Sequence, residues 1–341
     1  MKTQRHYNRH MLNSPSDWTD PAWQNAAKIW ISERLSRLNI QLYGSIAQHH
    51  IRPWSTVMKV DTSIGDVFFK ASAATFAHEA ALTAYLSDSY QHCSPQLLAL
   101  DLDRNWLLMR SSGVTLRSLI KTDQSITRWG QVLPRYVELQ KRLATHSSSL
   151  LKLGVPDRRL KVLPDLFYEL LQDKSGLLLG QPDGLSAADY QHIVALQSEF
   201  EDLCSQLAGY GIPETLHHDD FHDANIFFQE DRVIFTDWGE CAITQPFFSL
   251  VVMLRSVENS LGLSPDAPQL DTLRGWYLDG WSEYGTSDEL KAAARLSERI
   301  GYINRALTWH SVISHLSEEL KPEYAAAVPA YLQEFIHLKL G

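Results

Sequence analysis

An α+β fold in two lobes is predicted, a small antiparallel-sheet lobe at the N-terminus followed by a larger, mainly helical lobe at the C-terminus. Three observations carry this. Residues 40–109 alternate short β-branched and aromatic segments with turns, around one inserted helical stretch. Beyond Ser111, Ser112 and Gly113 the apolar spacing becomes helical and stays so for most of the chain. One strand-rich island, residues 215–237, interrupts those helices. A chain of 341 residues is long enough for two cores, and the boundary is placed to give lobes of residues 1–112 and 113–341.

Taken in order, Asp20 and Pro21 form a cap and first-turn pair, and Trp23, Ala27, Trp30, Ile31, Leu35 and Leu38 recur at helical spacing. A leading amphipathic helix is therefore expected over about 20–38. Val57 to Val60, a turn at Asp61 to Gly65, and Asp66 to Lys70 read as a hairpin. Thr75 to Leu86 reads as a helix with Phe76, Glu79, Leu82 and Leu86 near one face. Gln96 to Leu100 and Trp106 to Met109 read as strands flanking a turn at Asp101 to Asn105. In the second lobe helices are expected at Leu116 to Ile120, Thr127 to His146, Leu163 to Asp173, Ser186 to Leu207, Phe248 to Leu261, Gln269 to Tyr284, Ser287 to Ser314 and Pro322 to Leu340.

Composition narrows the function. Hydrophobic residues make up 44% of the chain, enough to support packed cores. Forty acidic against 31 basic residues leave a formal charge of -9, and no Lys/Arg run occurs, so neither a nucleic acid nor an anionic membrane is an expected partner. Cys93, Cys204 and Cys241 are scattered and odd in number, which fits neither a disulfide framework nor a paired-cysteine metal site. Met1 to Ser16 is polar and His-rich without the apolar core of a signal peptide, and the apolar stretch around Phe247 to Leu254 is too short to span a bilayer. A soluble, cytoplasmic protein is expected; oligomeric state is left open.

The chemistry concentrates in residues 217–240. His218, Asp220 and Asn225 form His-x-Asp-x-x-x-x-Asn, and a polar turn at Gln229 to Arg232 separates the apolar segments Ile226 to Phe228 and Val233 to Phe235. A hairpin between these would bring Asn225 and Asp237 together at its open end. In-line phosphoryl transfer needs oxygen ligands for Mg2+, a carboxylate aimed at the attacking hydroxyl and cations on the phosphates. Asn225 and Asp237 suit the metal, Asp220 suits the hydroxyl, and His218 is expected to brace the loop.

These residues resemble the aminoglycoside phosphotransferase and choline kinase group of kinase-like enzymes, whose catalytic loop reads His-Gly-Asp-Leu-His-x-x-Asn and whose metal loop reads Asp-Trp or Asp-Phe. The resemblance implies a bilobal protein-kinase-like fold, with residues 1–112 as nucleotide-binding lobe and 113–341 as catalytic and acceptor-binding lobe. It implies ATP and Mg2+ as cofactors and the hydroxyl of a small molecule as acceptor. Asp220 becomes the catalytic aspartate, Asn225 and Asp237 the metal ligands, and His222 matches a position often occupied by His. Lys70 and Glu79 match the strand lysine and helix glutamate of kinase-like folds. Met109 to Ser111 matches the hinge whose backbone meets adenine. The phosphate-covering turn is expected at Gly44 and Ser45 or at Pro53 to Thr56.

Two departures carry expectations of their own. Asp219 stands where the family usually has Gly, and a like charge beside Asp220 is expected to raise the Asp220 pKa. Ser249 stands where an Asp-Leu pair usually ties down the catalytic loop, so a weaker, uncharged brace is expected. Two rival readings are a catalytically weak kinase-like nucleotide-binding protein and a Zn or Mn hydrolase built on His217, His218, Asp219, Asp220, His222 and Asp223. Trp276, Tyr277, Trp281, Tyr284, Tyr302 and Trp309 recur at helical intervals and are expected to be core rather than a cage for a quaternary ammonium. Glu298, Asn304, Arg305, His310 and His315 lie on the late helices where, by the resemblance, related kinases build acceptor pockets, but charged helix faces are expected to be solvated. The acceptor is open among aminoglycosides, macrolides, amino alcohols, sugars and other metabolites.

Overall fold

The computed structural model describes residues 18–338. The polar segment Met1 to Ser16, and the end of the expected helix up to Leu340, lie outside the described residues. The chain divides into two compact units, one of residues 18–112 with His315–Leu320, the other of residues 113–314 with 321–338.

The first unit opens with helix α1 (Pro21–Arg37), capped by Asp20, whose Oδ1 accepts from the backbone N–H groups of Ala22 and Trp23. Its strands β1 (Ala47–Arg52), β2 (Ser55–Thr62), β3 (Gly65–Ser72), β4 (Leu97–Asp101) and β5 (Trp106–Arg110), together with helix α2 (Glu79–Ser89), complete the unit. They form an antiparallel sheet in the order β1-β2-β3-β5-β4. Met58 and Val60, Val67, Phe69 and Ala71, and Trp106 and Leu108 alternate along their strands, so all reach the sheet face that α1 covers with Trp23, Ala27, Trp30, Ile31 and Leu35. Trp23, Trp30, Phe69 and Trp106 meet edge to face or tilted, with ring centroids 5.3–6.3 Å apart. Trp106 lies at the centre of this cluster and is 2% exposed. Trp106→Ala is expected to cost about 3–5 kcal/mol, read as a lower urea midpoint by far-UV circular dichroism. An unchanged midpoint would remove this cluster from the list of what stabilises the unit.

The second unit begins at Gly113, whose φ of 97° and backbone approach to Phe228 leave no room for a side chain: a Cβ there would lie 2.1 Å from the Phe228 carbonyl oxygen. β6 (Val114–Thr115) can therefore pair with β8 (Ile226–Gln229), which forms a hairpin with β9 (Arg232–Phe235). β7 (Thr215–His217) pairs separately with β10 (Ala242–Thr244). Around these strands pack helices that include α3 (Leu116–Asp123), α4 (Trp129–Ala144), α5 (Ser147–Lys152), α6 (Leu163–Gln172), α7 (Ala187–Ala195), α8 (Gln197–Gly209), α9 (Ser249–Leu261), α10 (Pro268–Asp279), α11 (Ser287–Ser314), α12 (Lys321–Tyr324) and α13 (Ala327–His337).

Three expected helices are shorter than their periodicity suggests. Ser186 to Leu207 breaks at Leu196, Gln269 to Tyr284 ends at Asp279 with a tight turn after it, and the last expected helix is split between α12 and α13. Periodicity alone does not reveal these interruptions, and the short pieces Ser282–Tyr284 and Lys321–Tyr324 bury no residue of their own. Tyr277, Trp281 and Tyr302 are buried in the core. No helix among the described residues is long and apolar enough to cross a membrane.

Candidate active site

The expected catalytic loop, residues 218–225, joins β7 to β8, so two short strand pairs hold both of its ends. Asn225 is the last residue before β8, and Asp237 follows β9 by two. Ile226 pairs with Phe235, and the N–H and Oγ1 of Thr236 both donate to the Asn225 carbonyl, at 3.0 and 3.1 Å. Asn225 and Asp237 therefore flank the open end of one hairpin. Asp237 adopts left-handed backbone, φ 66° and ψ 61°, which turns the chain sharply into the segment Trp238–Glu240.

Within the loop, the Asn225 amide nitrogen donates to the Asp220 carbonyl at 3.0 Å and to Asp220 Oδ2 at 3.2 Å. His222 Nε2 lies 3.2 Å from the same Oδ2, and Arg305 Nη2 lies 3.3 Å from Oδ1. Both carboxylate oxygens of Asp220 are thus engaged. Burial opposes ionisation of Asp220, but the His222 hydrogen bond and the Arg305 charge overcome it and hold the carboxyl well below the usual carboxylate range. The expected upward shift from Asp219 is overturned. That prediction counted only the like charge, whereas the Asp219 side chain is buried against Arg305, which it shares with Asp220, and Arg158.

Asp219 is 3% exposed and accepts from His217 Nε2 and Asn304 Nδ2, both at 2.9 Å, and from the Thr308 hydroxyl. Arg305 and Arg158 approach it at 3.5 and 3.9 Å. Burial alone would neutralise this carboxyl; Arg305, the His217 hydrogen bond and Arg158 outweigh it and keep its pKa low.

His218 packs at a tilt against Trp238 with centroids 4.7 Å apart, and its Nε2 lies 2.9 Å from the Thr236 carbonyl, which requires a hydrogen on Nε2. It ties the catalytic loop to the segment that carries Asp237. Ser249 does not act alone as a brace. Its Oγ lies 2.9 Å from both His217 Nδ1 and the Tyr136 hydroxyl, which in turn accepts from the His218 N–H at 3.1 Å. Asp223, fully buried, is held by Arg117 Nε at 2.7 Å and by Ser260. The loop is therefore anchored at four residues, His218, Asp219, Asp220 and Asp223, by groups from α3, α4, α9 and α11.

In the first unit, Lys70 on β3 and Glu79 at the start of α2 form a buried ion pair of 2.5 Å, with Ser72 Oγ donating to the second Glu79 oxygen. Asn105, buried in the β4–β5 turn, fixes the start of α2 by accepting from Ala80 N–H and donating to the Ser72 and Phe76 carbonyls. Met109 lies on β5, paired with Phe68, and Ser111 directly after it donates its N–H to the Asp66 carbonyl. Gly44 precedes β1, and Pro53 and Trp54 make the β1–β2 turn.

The donor set in the second unit suits magnesium. Because the Asn225 amide nitrogen points to Asp220, its oxygen is left for a hard cation, and a carboxylate stands on the other side of the hairpin mouth. Among the described residues, no group of three or more His, Cys, Asp and Glu side chains is arranged to hold a metal by itself, which is what the hydrolase reading needs.

A family model described as the phosphotransferase enzyme family matches residues 67–286. The chain belongs to that family. Among solved structures, this phosphotransferase is similar to ethanolamine kinase of Plasmodium vivax, with 15% identity, 85% of this chain and 82% of that one covered, and a TM-score of 0.58. It is also similar to a mutant aminoglycoside 2'-phosphotransferase-IIIa in its GDP complex, with 15% identity, coverage of 90% and 97%, and a TM-score of 0.57. Choline kinase from Cryptosporidium parvum follows at 9% identity, coverage of 93% and 91%, and a TM-score of 0.58. These likenesses establish a kinase-like fold for the phosphotransferase. No curated protein sequence matches it.

Sequence reasoning placed Asn304 and Arg305 of this phosphotransferase on a solvated face; they are 0% and 5% exposed. Thr308, four and three residues on from them, lies over the same side of α11, and all three bond to the loop at Asp219. Glu240 and Arg158 were not singled out at all. One signal was available: an extra carboxylate in a buried loop needs a buried cation, and the polar spacing at 304, 305 and 308 could supply it.

Burial lowers the His218 pKa to about 4, with the Thr236 carbonyl, Asp220 and Asp237 opposing. The folded phosphotransferase keeps this ring neutral while the unfolded chain, at the ordinary 6.5, takes up a proton first. Stability from His218 is therefore complete above about pH 6.5 and lost as the pH falls toward 4, on the order of 3 kcal/mol in all. His218→Gln should flatten the stability profile in that window, as measured by urea unfolding. An identical slope in both proteins would show that another group titrates there.

Proposed function

We propose that this chain is a cytoplasmic, ATP- and Mg2+-dependent kinase that transfers the γ-phosphoryl group to a hydroxyl of a small molecule. The observation that carries the reading is the Asp220–Asn225 hydrogen bond at the mouth of the hairpin that leads to Asp237. It couples a carboxylate for the incoming alcohol to an amide oxygen and a second carboxylate for the metal.

In this reading Lys70, held by Glu79, contacts the phosphates, the backbone around Met109 and Ser111 meets the base, and Asn225 and Asp237 hold the magnesium. When bound, the metal would draw negative charge from the phosphate oxygens. Asp220 is ionised at neutral pH and is a weak base, so its main task is to hold the hydroxyl in line and to accept its proton late, as the new P–O bond forms and ADP departs. His218 and His222 keep the loop and the carboxylate in place. Three scattered, buried cysteines suit a reducing compartment.

The test is coupled release of ADP from ATP, or of GDP from GTP, over a panel of aminoglycosides, macrolides, amino alcohols and sugars. Mg2+-dependent ADP release that rises with one acceptor, ATP preferred, is expected. Nucleotide binding without turnover on any acceptor would favour a binding protein, and phosphate release without nucleotide would favour a hydrolase.

A further inference from the structure

Arg305 is the most heavily engaged cation beside the loop. Its Nη1 donates to the Asp219 carbonyl at 3.1 Å, approaches Asp219 Oδ2 at 3.5 Å and binds Glu240 Oε2, while its Nη2 reaches Asp220 Oδ1 at 3.3 Å. A planar guanidinium can serve two neighbouring residues of one loop at fixed geometry; an ammonium cannot. His222 and Asn225 hold the other Asp220 oxygen, so Arg305 removes the remaining freedom of that carboxylate to rotate. Asp219, in turn, accepts from Asn304 and Thr308, which flank Arg305 on α11, and His217 ties the same carboxylate to Ser249 on α9. The helix and the loop are thus joined through the residue that replaces the usual glycine.

We propose that Arg305 is a positioning residue that holds Asp220 in line for transfer, and that Asp219 sets the place of Arg305 by clamping the surrounding face of α11. The proposal rests on Asp220 as the residue that meets the alcohol. It explains why a second carboxylate next to the reactive one does not disturb it: the pair shares one cation, with a buried carboxylate as anchor and a partly exposed one as the working group.

The test measures ADP release from Mg-ATP with water as acceptor, and with any alcohol that the panel yields, in Arg305→Gln, Arg305→Lys, Asp219→Asn, the Asp219→Asn/Arg305→Gln double variant and Asp220→Asn. Misplacement of about 1 Å costs on the order of 100-fold. Arg305→Gln should accordingly lower kcat by about that factor, with KM for ATP within threefold of wild type. Arg305→Lys should regain part of the loss by restoring charge without the fork. Asp219→Asn should lower kcat at least about tenfold, and the double variant should be no worse than Arg305→Gln alone, because both act along one path. Thr308→Val, which removes a donor to Asp219 and leaves every charge, should lower kcat in the wild-type background and not in Arg305→Gln. A kcat within threefold of wild type in Arg305→Gln, or an unchanged kcat with a raised KM, overturns the positioning role, and additive losses in the double variant overturn the part assigned to Asp219. If Asp220→Asn also retains full activity, the reading of Asp220 itself falls, which is a separate result.

Discussion

Asp220→Asn is expected to reduce kcat for ADP release by roughly 10²–10⁴-fold, the range that a positioned carboxylate contributes to hydroxyl chemistry. The substitution keeps the shape of the side chain and removes the charge that orients the attacking hydroxyl and receives its proton. The side chain is 23% exposed, so the loss of its contacts to Arg305 and His222 should lower the melting temperature only modestly. KM for ATP should move little, because the phosphates are assigned to Lys70 and the metal to Asn225 and Asp237. Wild-type ADP production with the true acceptor, from a folded variant, would end the case for this carboxylate.

At Asp237 the expected effect falls on binding. Asp237→Asn should weaken Mg2+-dependent nucleotide binding by at least about tenfold, and Asp237→Ala by about 100-fold, in titrations with a fluorescent ATP analogue with and without Mg2+. The two variants separate ligation from backbone. Asn tolerates the left-handed conformation at this position, φ 66°, whereas Ala strains there by about 1–2 kcal/mol. Asp237→Ala should therefore also melt at a lower temperature, while Asp237→Asn should not. Equal Mg2+-dependent affinity in Asp237→Asn and wild type would remove Asp237 from the metal site.

Much of this was legible because it is local. The hairpin from Ile226 to Phe235 follows from two apolar runs about a polar turn, and once it closes, Asn225 and Asp237 must flank its mouth. Asp220 lies only five positions before Asn225, whose amide reaches it. Lys70 and Glu79 meet within nine residues, across one strand end and one helix start. The aromatic cluster of the first unit was likewise written in alternation and in 3.6-residue spacing.

Chain order and residue type were therefore enough for the kinase-like architecture, for the family and for the short-range part of the site, since a strand pair or a helical turn leaves little choice about which neighbours meet. The surroundings of Asp219 were another matter. Its partners Asn304, Arg305 and Thr308 lie 85 to 89 positions away, on a 28-residue helix whose charged residues are locally alike. Which of them face solvent and which enter the loop depends on how α11 packs against it, and that packing is a property of the whole core, so only the folded chain could turn an apparent like-charge conflict into a shared cation.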